Sequence, residues 1–190
     1  MKKHLVTAFL MTIATTILLG VLYPLVITGV AQVLFKDKAN GQIRYRNGQA
    51  IGSRIIGQPF TAAKYFHPRP SNAGNGYDAT SSGALNLGPT NRKLIDRIQA
   101  DAKTLHEENP TQLVPVDLLT TSASGLDPEI SPAAAEFQVP RVARERGLPE
   151  STVRDLVQKH TYQRELGLLG EPRVNVLDLN LALDDLAPKP

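Results

Sequence analysis

From Leu5 to Phe35 the chain runs for 31 residues without a charged side chain, framed by Lys2 and Lys3 before it and by Lys36, Asp37 and Lys38 after it. Helical residues rise about 1.5 Å each, so the ~20 residues that cross a hydrocarbon core fit inside this run with length to spare. The pattern then changes to strict alternation. Ile43, Tyr45 and the flanking Gln42, Arg44 and Arg46 read as a strand, Asn47-Gly48 as a type I′ turn, and Ala50 to Ile56 as a returning strand. Gln58 to Asn91 shows neither period, yet it contains Phe60, Tyr65, Phe66 and Tyr77, and so is more than a linker.

Helical spacing returns at Leu94, Ile98, Ala102 and Leu105, with Thr90 or Asn91 as the cap and Pro110 beyond the end. Leu113 to Thr121 reads as a short edge strand interrupted by Pro115, and Thr121 to Pro128 as a loop. Ser131-Pro132 is an N-cap and first-turn pair for a helix that stops at Gly147, with Pro140 inside it as a kink. A second helix near Glu150 to His160 groups Val153, Leu156 and Val157. Arg173 to Leu177 reads as a strand, and the phase change to Leu179, Leu183 and Leu186 as a switch to a short helix. Ala187 to Pro190 reads as a frayed tail. The fold class is mixed α/β (α+β) behind one N-terminal transmembrane α-helix: residues 1–4 cytoplasmic, 5–35 the anchor, 36–190 one extracytoplasmic domain.

Lys2 and Lys3 against Lys36, Asp37 and Lys38 favour a cytoplasmic N-terminus in the cell inner membrane. The rival is a cleaved secretory signal, since Gly29-Val30-Ala31 has small-x-small character, although signal cores run about 7–15 residues. Tyr23-Pro24 is the expected bend, and Gly20, Thr28 and Gly29 offer small surfaces to a partner helix. Composition narrows the chemistry further. The net charge of +3 comes mostly from Lys2 and Lys3, which leaves no basic face for nucleic acid. The absence of cysteine excludes disulfides, thiol catalysis and cysteine metal sites.

Individual motifs point away from enzymatic chemistry. Gly83 to Thr90 has P-loop glycine spacing, but Pro89 stands where the lysine is needed, so a turn and helix cap is preferred. Ala143 to Val153 has the outline of a helix-turn-helix and is read as a structural αα-hairpin. His4, His67, His106 and His160 show no zinc spacing, and Ser122-Ala123-Ser124-Gly125 lacks the first glycine of a nucleophile elbow. A bitopic protein without a catalytic signature suits an accessory subunit, the alternative being a free-standing exported binding protein.

Several segments in order carry a more specific signal. They are Ile56-Gly57-Gln58-Pro59-Phe60, Tyr65-Phe66-His67-Pro68-Arg69-Pro70-Ser71, Gly76-Tyr77-Asp78, Asn86 to Asn91, Ser124-Gly125-Leu126-Asp127-Pro128, Ile130 to Ala134, and Leu169 to Leu177. Together they resemble the C subunit of the potassium-transporting Kdp ATPase, across nearly the whole chain. The resemblance implies a non-catalytic, single-span subunit assembled with a channel-like potassium-binding subunit and a P-type ATPase subunit. It implies a catalytic chaperone that promotes ATP binding by the pump, with no firmly bound cofactor and with ATP as the ligand of a loop containing Ser122, Ser124, Gly125 and Asp127. An outside domain cannot touch cytoplasmic ATP, so direct contact and the expected topology exclude each other. A cap over the outer potassium entrance is the preferred mechanism, with Asn72, Asn75, Asp78 and Asn86 as candidate oxygen donors beside a plain turn-forming role.

Overall fold

The computed structural model describes residues 1–186, so the expected tail from Ala187 to Pro190 lies outside the described residues. The chain divides into two compact units, Met1–Arg44 and a second one that begins at Tyr45. In the first, helix α1 (Lys2–Thr15), a π-helical segment (Thr16–Leu22) and α2 (Tyr23–Leu34) form one uninterrupted helix from Lys2 to Leu34. It is 33 residues long and apolar enough to cross a membrane. At Tyr23-Pro24, where a bend was expected, the helix carries a π-helical segment on its N-terminal side. Pro24 has no N–H and its ring would collide with the carbonyl one turn earlier, and the helix widens just ahead of it, where the Tyr23 N–H donates to Leu18 O, five residues back. Thr7, Thr12 and Thr15 each return their hydroxyls to carbonyls four residues earlier, at 2.8–2.9 Å, so these polar groups need no solvent. A four-residue helix, α3 (Lys36–Ala39), follows.

Strands β1 (Ile43–Arg46) and β2 (Gln49–Ser53) form the expected hairpin, with Asn47 at φ 52° and Gly48 at φ 77° in its I′ turn. β2 ends at Ser53 rather than Ile56. No regular element follows until α4 (Arg92–Glu108), whose cap is Asn91, accepting from Lys93 N at 2.9 Å. The strand expected over Leu113 to Thr121 is absent. Pro115 instead opens a 3-10 turn, Val116–Leu118, because the Asp117 carboxylate is drawn to Ser131, whose N–H lies 2.7 Å away. Leu118 of that segment is buried in the core and Val114 packs against it, while Leu113 and Val116 face outward.

β3 (Glu129–Ile130) leads into α5 (Pro132–Arg146), capped by Ser131 Oγ accepting from Ala134 N at 3.0 Å. α5 continues through Pro140. It ends at Gly147, φ 64°, where Gly147 N donates to Arg144 O and Leu148 N to Ala143 O, the paired bonds of a Schellman stop. α6 (Glu150–Lys159), β4 (Thr161–Tyr162), β5 (Arg173–Asn175) and α7 (Val176–Leu186) complete the unit. β5 lies between β3 and β4, antiparallel to both, with Val174 opposite Ile130 on one side and Thr161 on the other. β3 and β4 are two residues each, too short for alternation to register in the sequence. The core forms where the α5–α6 hairpin and α7 close over β5, burying Phe137, Val142, Val153, Val174, Leu179 and Leu183. Val153 is wholly buried, so the helix-turn-helix outline serves packing.

The unstructured stretch is held by two buried amide side chains. Asn180 of α7 accepts from Phe66 N at 2.8 Å and donates to Phe66 O at 2.9 Å. Gln138 of α5 accepts from His67 N at 2.7 Å and donates to His67 O at 3.1 Å. Asn180→Ala strips both partners from the buried Phe66 backbone, and each unpaired group costs about 1–3 kcal/mol. Urea denaturation should register a loss of at least about 2 kcal/mol.

At the far end of α7, Asp184 receives Tyr65 Oη at 3.1 Å, Arg146 Nη2 at 2.8 Å and Arg46 Nη1 at 3.2 Å. Burial alone would raise its pKa, but Arg146, Tyr65 and Arg46 outweigh it and hold the carboxyl below the usual range. A depressed folded-state pKa contributes stability that is present above the unfolded value near 4 and is lost as pH falls through the folded one. Urea midpoints measured from neutral pH down to about pH 3 should therefore fall less steeply in Asp184→Asn than in the unaltered chain.

Candidate functional site

The long loop from Gly57 to Asn91 meets the segment from Ser122 to Asp127 at Gly57, Ser71, Ser82 and Gly83. Ser71 Oγ is their junction. It donates to Gly125 O at 2.5 Å while accepting from Ala73 N at 3.2 Å and Tyr77 N at 2.8 Å. Gly83 N and Ser82 Oγ both donate to Ser124 O at 3.0 Å, and Gly57 N donates to Leu126 O at 2.8 Å. Gly125 is buried at φ 68°, and a Cβ there would lie 2.7 Å from Ala73 N and 3.0 Å from Gly83 O. The close approach therefore demands glycine both for conformation and for space.

Of the residues considered for nucleotide, Ser124 Oγ accepts from Leu126 N at 3.1 Å and lies 3.4 Å from Ser122 Oγ. Asp127 pairs with Arg69 Nη1 at 2.8 Å and accepts from Glu129 N at 3.0 Å. The polar atoms of Ser124 and Asp127, and the Gly125 carbonyl, thus have partners within the domain. Of the residues considered for potassium, Asp78 closes a turn, accepting from Thr80 N at 2.9 Å and Thr80 Oγ1 at 2.7 Å. Those two hydrogen bonds lower its pKa. Asn75 and Asn86 are exposed, Asn72 is half-buried, and Asn86 adopts φ 51°. Among the described residues no three His, Asp or Glu side chains gather in a way that could hold a metal ion. Asn86 and Ser122 do come together, on a cleft of about 270 Å³ that also takes in Leu94, Arg97 and Thr121. There Arg97 binds Asp101 at 2.8 Å and Leu119 O at 3.0 Å through its terminal nitrogens. Its buried Nε has no acceptor among the described residues. In the first unit, Gly20 falls within the π segment and an added Cβ at Gly29 meets nothing within 4 Å; Thr28 is exposed.

A larger cleft, about 450 Å³, opens between the His67-Pro68-Arg69-Pro70 run and α4, lined by Phe60, His67, Tyr77, Leu105 and Leu118 among others. No site role was read from these residues in the sequence, although the aromatic content of a segment without periodicity was the available signal. Burial, and then Arg141, lower the His67 pKa, and its Nε2 lies 3.2 Å from Ala62 O, so the neutral ring donates there. Burial raises the pKa of the Tyr77 phenol, which donates to the Arg69 carbonyl. Along this wall Arg69 is ion-paired with Asp127, and the Tyr77 hydroxyl is committed to the Arg69 carbonyl.

Gly125→Ala should destabilise the domain by about 1–3 kcal/mol through backbone strain and the collision with Ala73. Gly83→Ala, where an added Cβ meets nothing within 4 Å, serves as the control and should be near neutral in the same denaturation measurement.

A family model described as "K+-transporting ATPase, c chain" matches residues 5–185. A potassium-transporting ATPase KdpC subunit from Koribacter versatilis (strain Ellin345) is 65% identical over 190 residues, covering 100% of this chain and 98% of the relative. The KdpC subunit of Acidobacterium capsulatum is 56% identical over 184 residues, covering 97% and 99%. That of Mycobacterium bovis (strain BCG / Pasteur 1173P2) is 52% identical over 189 residues, covering 98% and 100%. The match runs through the apolar helix and the whole folded unit together, and the chain belongs to the KdpC family of K+-transporting ATPase c chains.

Proposed function

We propose that this chain is a membrane-anchored, non-catalytic subunit of an ATP-driven potassium uptake complex, assembled with a channel-like potassium-binding subunit and a P-type ATPase subunit that hydrolyses ATP. The observation that carries the reading is the family match over residues 5–185 joined to a helix of 33 residues able to cross a bilayer. The helix crosses the inner membrane once, with Lys2 and Lys3 on the cytoplasmic side and the folded unit outside. Gly20, Thr28 and Gly29 let a neighbouring helix approach closely. The outer domain caps the potassium entrance, where Asn72, Asp78 and Asn86 line the approach with oxygen atoms and leave full coordination of the ion to the channel-like subunit.

Promotion of ATP binding by the pump then operates as a coupling free energy carried through the membrane subunits. Direct nucleotide contact by Ser122, Ser124, Gly125 and Asp127 is the competing route, and it would require Asp127 and the Gly125 carbonyl to exchange internal partners for ligand.

Cells grown under potassium limitation should yield this chain in a detergent-stable complex with the other Kdp subunits, and Gly20→Leu with Gly29→Leu should reduce that yield. Recovery of the chain alone in mild detergent would instead favour a free-standing exported protein. In the purified complex, removal of this chain should raise the ATP concentration that half-saturates the pump. Photoreactive ATP should label the ATPase subunit and leave the Ser122 to Asp127 loop unmarked; labelling of that loop would overturn the coupling mechanism.

A further inference from the structure

Lipid tails donate no hydrogen bond, so each backbone carbonyl of a spanning helix needs a donor from protein or water. In the helix from Lys2 to Leu34 the Leu19 carbonyl has lost both of its helical donors. Through the π-helical segment Thr16–Leu22 the N–H groups reach one residue further back than in an α-helix, and Tyr23 N donates to Leu18 O. The α-helical donor for Leu19 O, the Tyr23 N–H, is thereby spent. Its π-helical donor would be residue 24, which is proline and has no N–H. Leu19 lies at the centre of the 33-residue helix, the depth at which water is least available.

Two neighbours turn this gap into a site. Gly20 follows directly and has no side chain to shield the carbonyl; a Cβ added there would make ordinary contact with Thr16 Cγ2 at 3.8 Å. Thr7, Thr12 and Thr15 return their hydroxyls to carbonyls one turn earlier, whereas the Thr16 hydroxyl makes no hydrogen bond among the described residues. A notch in an otherwise apolar stretch thus offers one acceptor, Leu19 O, and one donor, Thr16 Oγ1, beside a glycine that lets a neighbour come close.

Chemistry selects the occupant. Lipid tails can supply neither bond. An ammonium or carboxylate would bring a charge to the bilayer centre, and Leu5 to Phe35 holds no charged side chain to pair with it. A neutral carboxamide or hydroxyl both donates and accepts. We propose that the Thr16–Gly20 notch receives such a side chain from a transmembrane helix of another subunit of the potassium-transporting ATPase complex, donating to Leu19 O and accepting from Thr16 Oγ1. Pro24 and Gly20 then act as one recognition element: proline removes the internal donor, and glycine opens the approach to the carbonyl.

This inference rests on the reading of the chain as a subunit of that complex. Failure of the unaltered chain to co-purify would remove that reading, whereas the notch is tested in variants of the complex once it has formed. Thr16→Val keeps the shape and removes the hydroxyl, and Pro24→Ala restores an N–H that can close on the helix's own carbonyls. Each should leave the purified complex about three- to tenfold faster on dilution in detergent, with an unchanged Tm for the full chain. Thr16→Ser, which keeps the hydroxyl, and Thr12→Val, whose hydroxyl is already spent on Ala8 O, should dissociate at the unaltered rate.

Dissociation of Thr16→Val or Pro24→Ala at the unaltered rate overturns the proposal, and so does a loss in Thr16→Ser as large as in Thr16→Val. Sedimentation of the isolated chain in detergent should give a monomer. A dimer that Thr16→Val dissolves would assign the notch to a second copy of this chain and overturn the proposal as well.

Discussion

A backbone without secondary structure still has to pair its buried N–H and C=O groups, and in this domain two carboxamides from helices do so. Asn180 clamps both backbone groups of Phe66, and Gln138 both groups of His67. Each carboxamide supplies one acceptor and one donor in fixed geometry, much as a neighbouring strand would. Arg141, itself buried, adds bonds to the carbonyls of Ala63 and Tyr65 and pairs with Glu108 of α4 at 2.7 Å. With these partners Phe66 can enter the core with no exposed surface, and the long loop becomes a fixed layer over α5 and α7.

Everything polar at the candidate site follows from that layer. Once Phe66 and His67 are placed, Arg69 reaches Asp127 and Ser71 reaches Gly125, and the Ser122 to Asp127 segment is recruited as a second fastening. Its serine, glycine and aspartate are committed chiefly to the chain itself. The same commitment shapes the 450 Å³ cleft, whose walls are the fixed loop on one side and α4 on the other.

Local signals in the sequence were read correctly wherever one residue's chemistry decides the outcome. Asn47-Gly48 specified its turn because both residues tolerate positive φ. Ser131 specified a cap, Gly147 a helix stop, and the Leu179–Leu183 spacing the switch into α7, while of Thr90 and Asn91 it is Asn91 that caps α4. The reading failed at Leu113 to Thr121, where a short edge strand interrupted by Pro115 was expected. Asp117 was instead claimed by Ser131, a partner that periodicity does not report. The three-stranded sheet was legible only at β5, since two-residue strands have no period of their own.

By itself the sequence determined that one apolar helix is long enough to cross a membrane, that a mixed α/β domain follows, and that the ordered motifs resemble one family. Those properties follow from composition, spacing and local backbone preference, which need no knowledge of distant contacts. Tertiary structure alone decided that Asn180 and Gln138 replace a missing strand and that Gly125 is a point of close approach. It also decided which leucines are buried and which face outward. Each of those outcomes depends on partners up to 114 residues away, and a side chain's hydrogen-bonding capacity does not state which partner will claim it.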